Sequence, residues 1–291
     1  MNALLCPICD HMLALKYKLK YSVYECGKCD LLHADAKFEH SFQSDLESDA
    51  RDVGLKQLRL KNFSAIIAML KKHTEEKFKQ LSGLEIGCGN GWWLETCKQN
   101  GLDCVGIEPE HIYESYHKAG NLNVLYGFYP DVSPHKENGY DFIIFNDVFE
   151  HIPDINGLLE SLRKDLHEDG ILIINLPISK GFFYKMATAL HKLGVSKPLI
   201  RMWQFNFHSP HMNYFNSDNI QRLLSKHGFT NEACLRLDTL DFEHIEERIR
   251  ADRSVSRVKA WVVASLLKLF KPIINASAPD IQVFFFKQKR K

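Results

Sequence analysis

Four cysteines stand in two close pairs, Cys6-Pro7-Ile8-Cys9 and Cys26-Gly27-Lys28-Cys29, with sixteen residues between them. Each pair lets two thiolates converge on one ion, and two such knuckles close a tetrahedral shell of four thiolates, of the kind that holds structural zinc. Such a shell leaves no ligand position open, so the metal itself would do no chemistry. Cys88, Cys97, Cys104 and Cys234 are scattered through the rest of the chain. That split favours metal binding in a reducing compartment, with a redox pair or disulfides as the alternative. Gly27 is expected to serve the tight turn of the second knuckle. His33 is a spare ligand that four cysteines make unnecessary.

A second chemical signal is the run Leu84 to Gly91, LEIGCGNG, set between an apolar strand and a helix. Glycines there turn tightly and let the backbone approach a ligand. A dinucleotide-binding loop would read G-x-G-x-x-G, whereas here the glycines alternate at Gly87, Gly89 and Gly91 and follow Glu85. An acid beside a pyrophosphate is awkward. It suits the ammonium of a methionine moiety, held directly or through water. Glu108, twenty-three residues later in GIEPE, ends the next strand, where a carboxylate accepts both hydroxyls of a ribose. The bland reading of these residues is a shaped turn and a solvated strand end.

In order, LEIGCGNG, GIEP, YDFIIFNDVFEHIPD and DGILIINLP resemble the successive motifs of class I S-adenosylmethionine-dependent methyltransferases, over roughly residues 55–235. The resemblance implies a Rossmann-like domain in which Glu85, Gly87, Gly89 and Gly91 frame the methionine end and Glu108 binds the ribose. It also implies that Gly127 and Phe128 lie near the adenine, with Asp131 in place of the acid many relatives carry there, and that Asn146 flanks the reacting methyl. S-adenosyl-L-methionine is thus one implied cofactor and structural Zn2+ the other. A paired-cysteine N-terminus ahead of such a domain resembles sugar methyltransferases of bacterial glycan and antibiotic pathways, and certain ribosomal RNA methyltransferases.

Methyl transfer to an alcohol needs alignment in a dry site and a place for the proton. His151, in FNDVFEHIPD, follows the fourth strand of the domain at the end of the sheet where ligands collect. His208 and His211, in FNFHSPHMNYF, fall in the irregular stretch after the fifth strand. His151 and His211 are the candidate bases, with capping or packing as the structural alternative. Tyr214 and Phe215 either wall an acceptor pocket or pack in the core, and Trp92 and Trp93 read as core.

The elements that must position these residues form an α/β pattern. Strands are expected near Leu81–Ile86, Asp103–Ile107, Asn123–Tyr126, Asp141–Phe145 and Ile171–Leu176, and helices at Gly91–Gln99, His111–Lys118 and Ile155–Leu166. A further helix at Asp218–His227 and strands at Glu232–Leu237 and Ile281–Phe286 complete a doubly wound, seven-stranded, mostly parallel sheet. Residues 1–35 read as a separate small zinc ribbon, 36–54 as a linker, and 55–291 as the main domain, opening on a helix at Leu55–Lys72. Acceptor-side insertions are expected near 178–216 and 238–279. The segment Arg257–Ile274 carries apolar residues at helical spacing with lysines among them, which fits a helix packed on the sheet or a peripheral membrane contact through 257–274.

With 37 basic and 36 acidic residues among 291, the chain is no global polycation. A nucleic-acid acceptor is therefore disfavoured, although Lys16, Lys18, Lys20 and Lys28 fall in the ribbon. After the fourth strand the sequence reads NDVF, not the N/D-P-P-Y pattern of base N-methyltransferases. There is no secretory signal and no apolar run of about 18 residues, so the expected location is cytoplasmic. The expectation is a methyltransferase acting on a hydroxyl of a sugar, glycan or small metabolite. An RNA methyltransferase with a zinc ribbon and a non-catalytic cofactor-binding scaffold are the alternatives, and the oligomeric state does not follow from the sequence.

Overall fold

The computed structural model describes residues 4–37, 48–134, 136–205, 207, 209–250 and 255–289, with backbone alone at 48–54, 247 and 248. His208 lies outside the described residues, as does most of the expected linker.

Continuous apolar runs build the centre of the sheet. Strands β7 (Tyr140–Asn146) and β8 (Leu166–Pro177) are buried on both faces through FIIF and ILIINL, as parallel strands covered by helices must be. For orientation, the preceding strands are β1 (Leu13–Lys18), β2 (Ser22–Cys26), β3 (Leu32–Ala34), β4 (Ser82–Ile86), β5 (Asp103–Glu108) and β6 (Val124–Tyr126). Those that follow are β9 (Asn213–Tyr214), β10 (Phe229–Leu237) and β11 (Ile281–Gln288). The seven-stranded sheet runs β10-β11-β8-β7-β4-β5-β6, parallel except that β11 is antiparallel to both of its neighbours. The chain leaves β4 toward β5 and β6 on one side, then returns to place β7 on the other. The switch point of the winding is therefore the β4/β7 boundary, where open α/β sheets gather their ligands.

Alternate residues of the strands feed two cores. On one face Ile143, Phe145, Leu172 and Ile174 meet Leu159 and Leu162 of α4 (Ile155–Asp165) and Ile220 and Leu223 of α7 (Ser217–Lys226). On the other, Phe142, Ile144 and Ile173 meet Phe63, Ile66 and Leu70 of α1 (Ser48–Thr74) and Trp93 and Leu94 of α2 (Trp92–Gln99). Helix α3 (Glu114–Ala119) is shorter at its start than expected, and α1 begins earlier. Helices α5 (Phe182–Lys192) and α6 (Lys197–Met202) fill the first insertion, and α8 (Ile245–Arg250) and α9 (Arg257–Ala276) the second.

The cysteine knuckles do not pack as the separate module their sequence suggested. Strand β3 pairs with β9, 180 residues away, through Leu32↔Tyr214 and His33↔Asn213, making a four-stranded sheet β1-β2-β3-β9. Cys6, Ile8, Cys26 and Leu31 belong to the same core as α4 and α7. Asn219 donates to the Cys29 carbonyl at 3.1 Å, capping the knuckle from the start of α7. The reason is size: so short a module buries too little apolar surface alone and takes its core from its neighbour. Tyr214 and Phe215 are consequently core residues.

The ribbon should therefore contribute to the stability of the whole domain. Leu31→Ala, which truncates a fully buried side chain at this junction, is expected to cost about 2–5 kcal/mol. Denaturant unfolding followed by both far-UV dichroism and tryptophan fluorescence should show a single shifted transition. A loss confined to a separate small transition would mean that the ribbon unfolds independently.

Candidate active site at the switch point

The loop between β4 and α2 is forced into shape by its glycines. Gly87 and Gly91 have φ of +73° and +82°, and a Cβ at either would meet Val148 at 2.7 Å or Leu122 at 2.6 Å. Both the left-handed backbone and the crowding demand glycine. Gly89 donates its amide to Glu108 Oε2 at 2.8 Å, so the loop is tied to the end of β5. From below, His117 brackets it: Nε2 lies 2.8 Å from the Gly89 carbonyl and Nδ1 2.8 Å from the Tyr126 hydroxyl. A carbonyl only accepts, so His117 donates from Nε2, and in the neutral ring Nδ1 accepts the hydrogen bond of the tyrosine hydroxyl.

Glu85 ends up buried beneath this loop, 2% exposed. Asn146 Nδ2 donates to its Oε1 at 2.9 Å, and Asn175 Nδ2 lies 3.4 Å from Asn146 Oδ1. The three polar residues thus line up across the C-terminal ends of β4, β7 and β8. Glu85 Oε2 and Asn175 Oδ1 are buried and accept no hydrogen bond from the described residues. Desolvation by burial, partly offset by the Asn146 bond, pushes the Glu85 carboxyl up to about 8. Burial also raises Glu108, against two backbone bonds, from Gly89 N and from Glu110 N at 3.1 Å, that favour its charged form. Each of its oxygens keeps a further lone pair. Gly127 and Phe128 follow β6, and the Phe128 ring is 60% exposed.

Just beyond β7, Asp147 adopts a left-handed φ of +54° and pairs with Arg59 of α1 at 2.8 Å. The turn that follows carries Glu150 and His151. His151 Nδ1 lies 2.9 Å from the Pro210 carbonyl, and its ring meets that of His211 edge to face at 4.7 Å. Because that carbonyl only accepts, Nδ1 carries the proton and the neutral ring keeps its lone pair on Nε2. Beside them Glu150 is buried, its carboxyl accepts no hydrogen bond from the described residues, and His211 Nε2 lies 3.8 Å away. Burial holds its carboxyl well above the usual range.

The fold thus brings Glu85, the glycine loop, Glu108 and Asn146 together, and separately joins His151 to His211. His117, Asn175, Arg59 and Glu150 were not singled out from the sequence. Glu150 had a readable signal, an acid in an apolar stretch directly before a candidate histidine. The others are recognised only by what they touch. Two open hollows of about 550 and 330 Å3 lie at the opposite end of the sheet and contain none of these residues.

The four knuckle thiols form a third group. All four Sγ atoms lie within 4.8 Å of one another, with Cys6–Cys29 at 3.5 Å and Cys9–Cys26 at 3.4 Å. A tetrahedral shell with Zn–S of about 2.3 Å needs sulfurs about 3.8 Å apart, so the group fits zinc. The turns are left-handed at Asp10 and Asp30, both with φ of +57°, one residue beyond each pair. Gly27 needs no positive φ, and a Cβ there would meet nothing. The expected use of Gly27 is thereby corrected, since the turn is made where an aspartate tolerates it.

A family described as a methyltransferase domain matches residues 55–233. The chain is 24% identical over 107 residues to a ubiquinone biosynthesis O-methyltransferase of Pelagibacter ubique, covering 35% of this chain and 45% of that one. It is 27% identical over 129 residues to (S)-coclaurine N-methyltransferase of Thalictrum flavum, covering 41% and 36%. The first curated relatives are matched over about half of their length. Among solved structures, the Haemonchus contortus phosphoethanolamine N-methyltransferase 2 complex with S-adenosylhomocysteine aligns at TM-score 0.51 and 17% identity, over 83% of this chain and 60% of that one. YjhP of E. coli aligns at 0.50 and 13%, over 82% and 99%. At these identities the structural likeness speaks for the fold.

The buried carboxyl makes a pH signature. In the unfolded chain Glu85 titrates near 4.5, and in the folded protein near 8. Between those values the folded state holds a proton that the unfolded state has released, so stability falls as pH rises across that window. It falls by up to about 1.4 kcal/mol per pH unit and levels off above it. Glu85→Gln is expected to remove that part of the slope, as denaturant unfolding of both proteins from pH 5 to 9 would reveal. Parallel stability curves for the two would mean that Glu85 is ionised in the folded protein.

Proposed function

The chain belongs to the methyltransferase-domain family, and from that membership we propose that it transfers the methyl group of S-adenosylmethionine to a hydroxyl of a sugar, glycan or small metabolite. The observation that carries the reading is the buried Glu85 Oε2, without a donor among the described residues, beneath a glycine loop at the switch point. An ammonium supplies the missing proton donor, and its charge favours the ionised carboxylate. Glu85 and Asn146 then hold the methionine end, while Gly87, Gly89 and Gly91 keep the backbone low enough for close approach. Glu108 takes the ribose hydroxyls on its remaining lone pairs, and Gly127 and Phe128 border the adenine. The cofactor supplies an electrophilic methyl on a sulfonium.

His151 is the base in this reading. His151 would take the hydroxyl proton of the acceptor on Nε2, leaving the oxygen free to receive the methyl group that the bound cofactor would supply. The Pro210 carbonyl supports that role by holding the proton on Nδ1, and His211 packs the ring in place as the alternative base. Cys6, Cys9, Cys26 and Cys29 hold a structural zinc that closes the knuckles against α4 and α7.

Two variants test the assignment together. Glu108→Ala should weaken S-adenosylmethionine binding in calorimetry, each lost bond to the charged acceptor contributing about 1.5–3 kcal/mol. His151→Ala should leave that affinity near wild type and cut methyl transfer to a pool of glycan and small-molecule acceptors about 10²–10⁴-fold. No cofactor binding by the wild type, or equal binding by Glu108→Ala, defeats the site. Full turnover by His151→Ala moves the base elsewhere, with His211 next to test.

For the metal, chelator-free purification under reduction should yield about one zinc per chain. Cys26→Ser should lose it and melt at lower temperature as a single transition, because the knuckle core is shared. Metal-free wild-type protein of unchanged stability would overturn the zinc reading.

A further inference from the structure

Helix α9 packs on the domain with one face and leaves its opposite face bare. Ala260, Ala264 and Ile274 are buried, and Arg236 of β10 fixes the C-terminal end by donating to the carbonyls of Asn275, Ser277 and Ile274 at 2.6, 2.9 and 2.7 Å. Ser256 caps the other end through the Lys259 amide at 3.3 Å. Arg236 thus seats the C-terminal end on β10, and the Ser256 cap closes the helix's own first turn; neither involves the outer side. On that outer side Val258, Trp261, Leu266, Leu269, Phe270 and Ile273 are all exposed, Leu269 to 73% and Trp261 to 60%. At 100° per residue these fall on one side of the helix, opposite the three buried residues. A packed helix of a water-facing domain has its polar residues there.

The charges say what fits this face. The segment Arg257–Ala276 contains Arg257, Lys259, Lys268 and Lys271 and no aspartate or glutamate. Lys271 lies on the packed side, over the Phe242 ring at 5.1 Å, while Arg257, Lys259 and Lys268 lie within or beside the apolar stripe. Cations so placed along a stripe that includes Trp and Phe are the composition of helices that lie in the plane of an anionic lipid surface. There the aliphatic stems of lysine cover apolar area while the ammonium groups reach the headgroups, and indole sits at the boundary. No helix among the described residues is long and apolar enough to cross a membrane, so contact is with the surface alone.

We propose that the outer face of α9 is a docking surface for an anionic lipid bilayer, which would hold the enzyme against a membrane while its site works on acceptors presented there. Docking of this kind is independent of the acceptor's identity and of the catalytic base.

The experiment uses the full chain and sedimentation with vesicles of phosphatidylcholine, either alone or with phosphatidylglycerol. Binding is expected to the anionic vesicles, to weaken as salt is raised, and to be far weaker on phosphatidylcholine alone. The double variant Leu266→Glu/Leu269→Glu, which adds two charges to the bare face and none to the core, should bind at least about tenfold less. It should keep the wild-type melting temperature and S-adenosylmethionine affinity. Because Trp92, Trp93 and Trp203 are buried, brominated acyl chains should quench Trp261, and Trp261→Phe should bind yet lose the quenching. Wild-type binding by the double variant, or absence of quenching, overturns the proposal. So does a lipid-free dimer seen in analytical ultracentrifugation that the double variant abolishes, since that would assign the face to a second copy of the chain.

Discussion

Glu85 Oε1 takes its hydrogen bond from Asn146 Nδ2 at 2.9 Å, and that bond forms only because β4 and β7 are neighbours in parallel register. Burying a carboxyl with one oxygen unpartnered is costly, and the surrounding structure is arranged so that it persists. The winding of the sheet brings β7 back beside β4, the glycine loop covers the carboxyl, and His117 and Glu108 hold the loop from two sides. Asn175 extends the same line to β8. The polar residues at these strand ends stand where aliphatic side chains would make a more stable domain. Their cost is the reason the proposed reading gives them a partner of opposite charge.

The histidine pair depends on a different constraint. His151 leaves β7 through a turn anchored by the Asp147–Arg59 pair, while His211 comes from the stretch that ends in β9. What brings the two rings together is the same strand that docks the cysteine knuckles, since β9 follows His211 by two residues and pairs with β3. The four-thiol cluster and the candidate base therefore share a support. A disturbance of the knuckles reaches His211 through a few residues of backbone.

Much of this could be read from the sequence, for reasons that are local. LEIGCGNG between an apolar run and a helix has only one geometry open to it, and Gly87 and Gly91 adopt it. The alternation of apolar runs with amphipathic helices gives the strand order once a doubly wound sheet is accepted. Paired cysteines one helical turn or less apart converge whatever surrounds them. What escaped was non-local or carried by unremarkable residues. Asn213–Tyr214 is too short to read as a strand, so the joining of ribbon and domain was invisible. His117 and Asn175 look like helix-surface and strand residues until their partners are known. Gly27 misled because glycine is the usual sign of a turn, while the left-handed positions fell to Asp10 and Asp30.

The pairing of β3 with β9 also orders events in time. The cysteine knuckles leave the ribosome before β9, and at about 5–20 residues per second the strand that completes their sheet, 180 residues on, follows roughly 10–40 s later. Through that interval the β3 edge has no partner and the apolar side chains of Leu31 and Leu32 have no core to enter, a combination that favours mispairing with other chains. Thiolates that capture an ion early would hold the hairpin compact while the remainder is made. β9 then acts as the latch that closes this small sheet, a long-range contact of the kind that slows folding, before β10 and β11 complete the larger one.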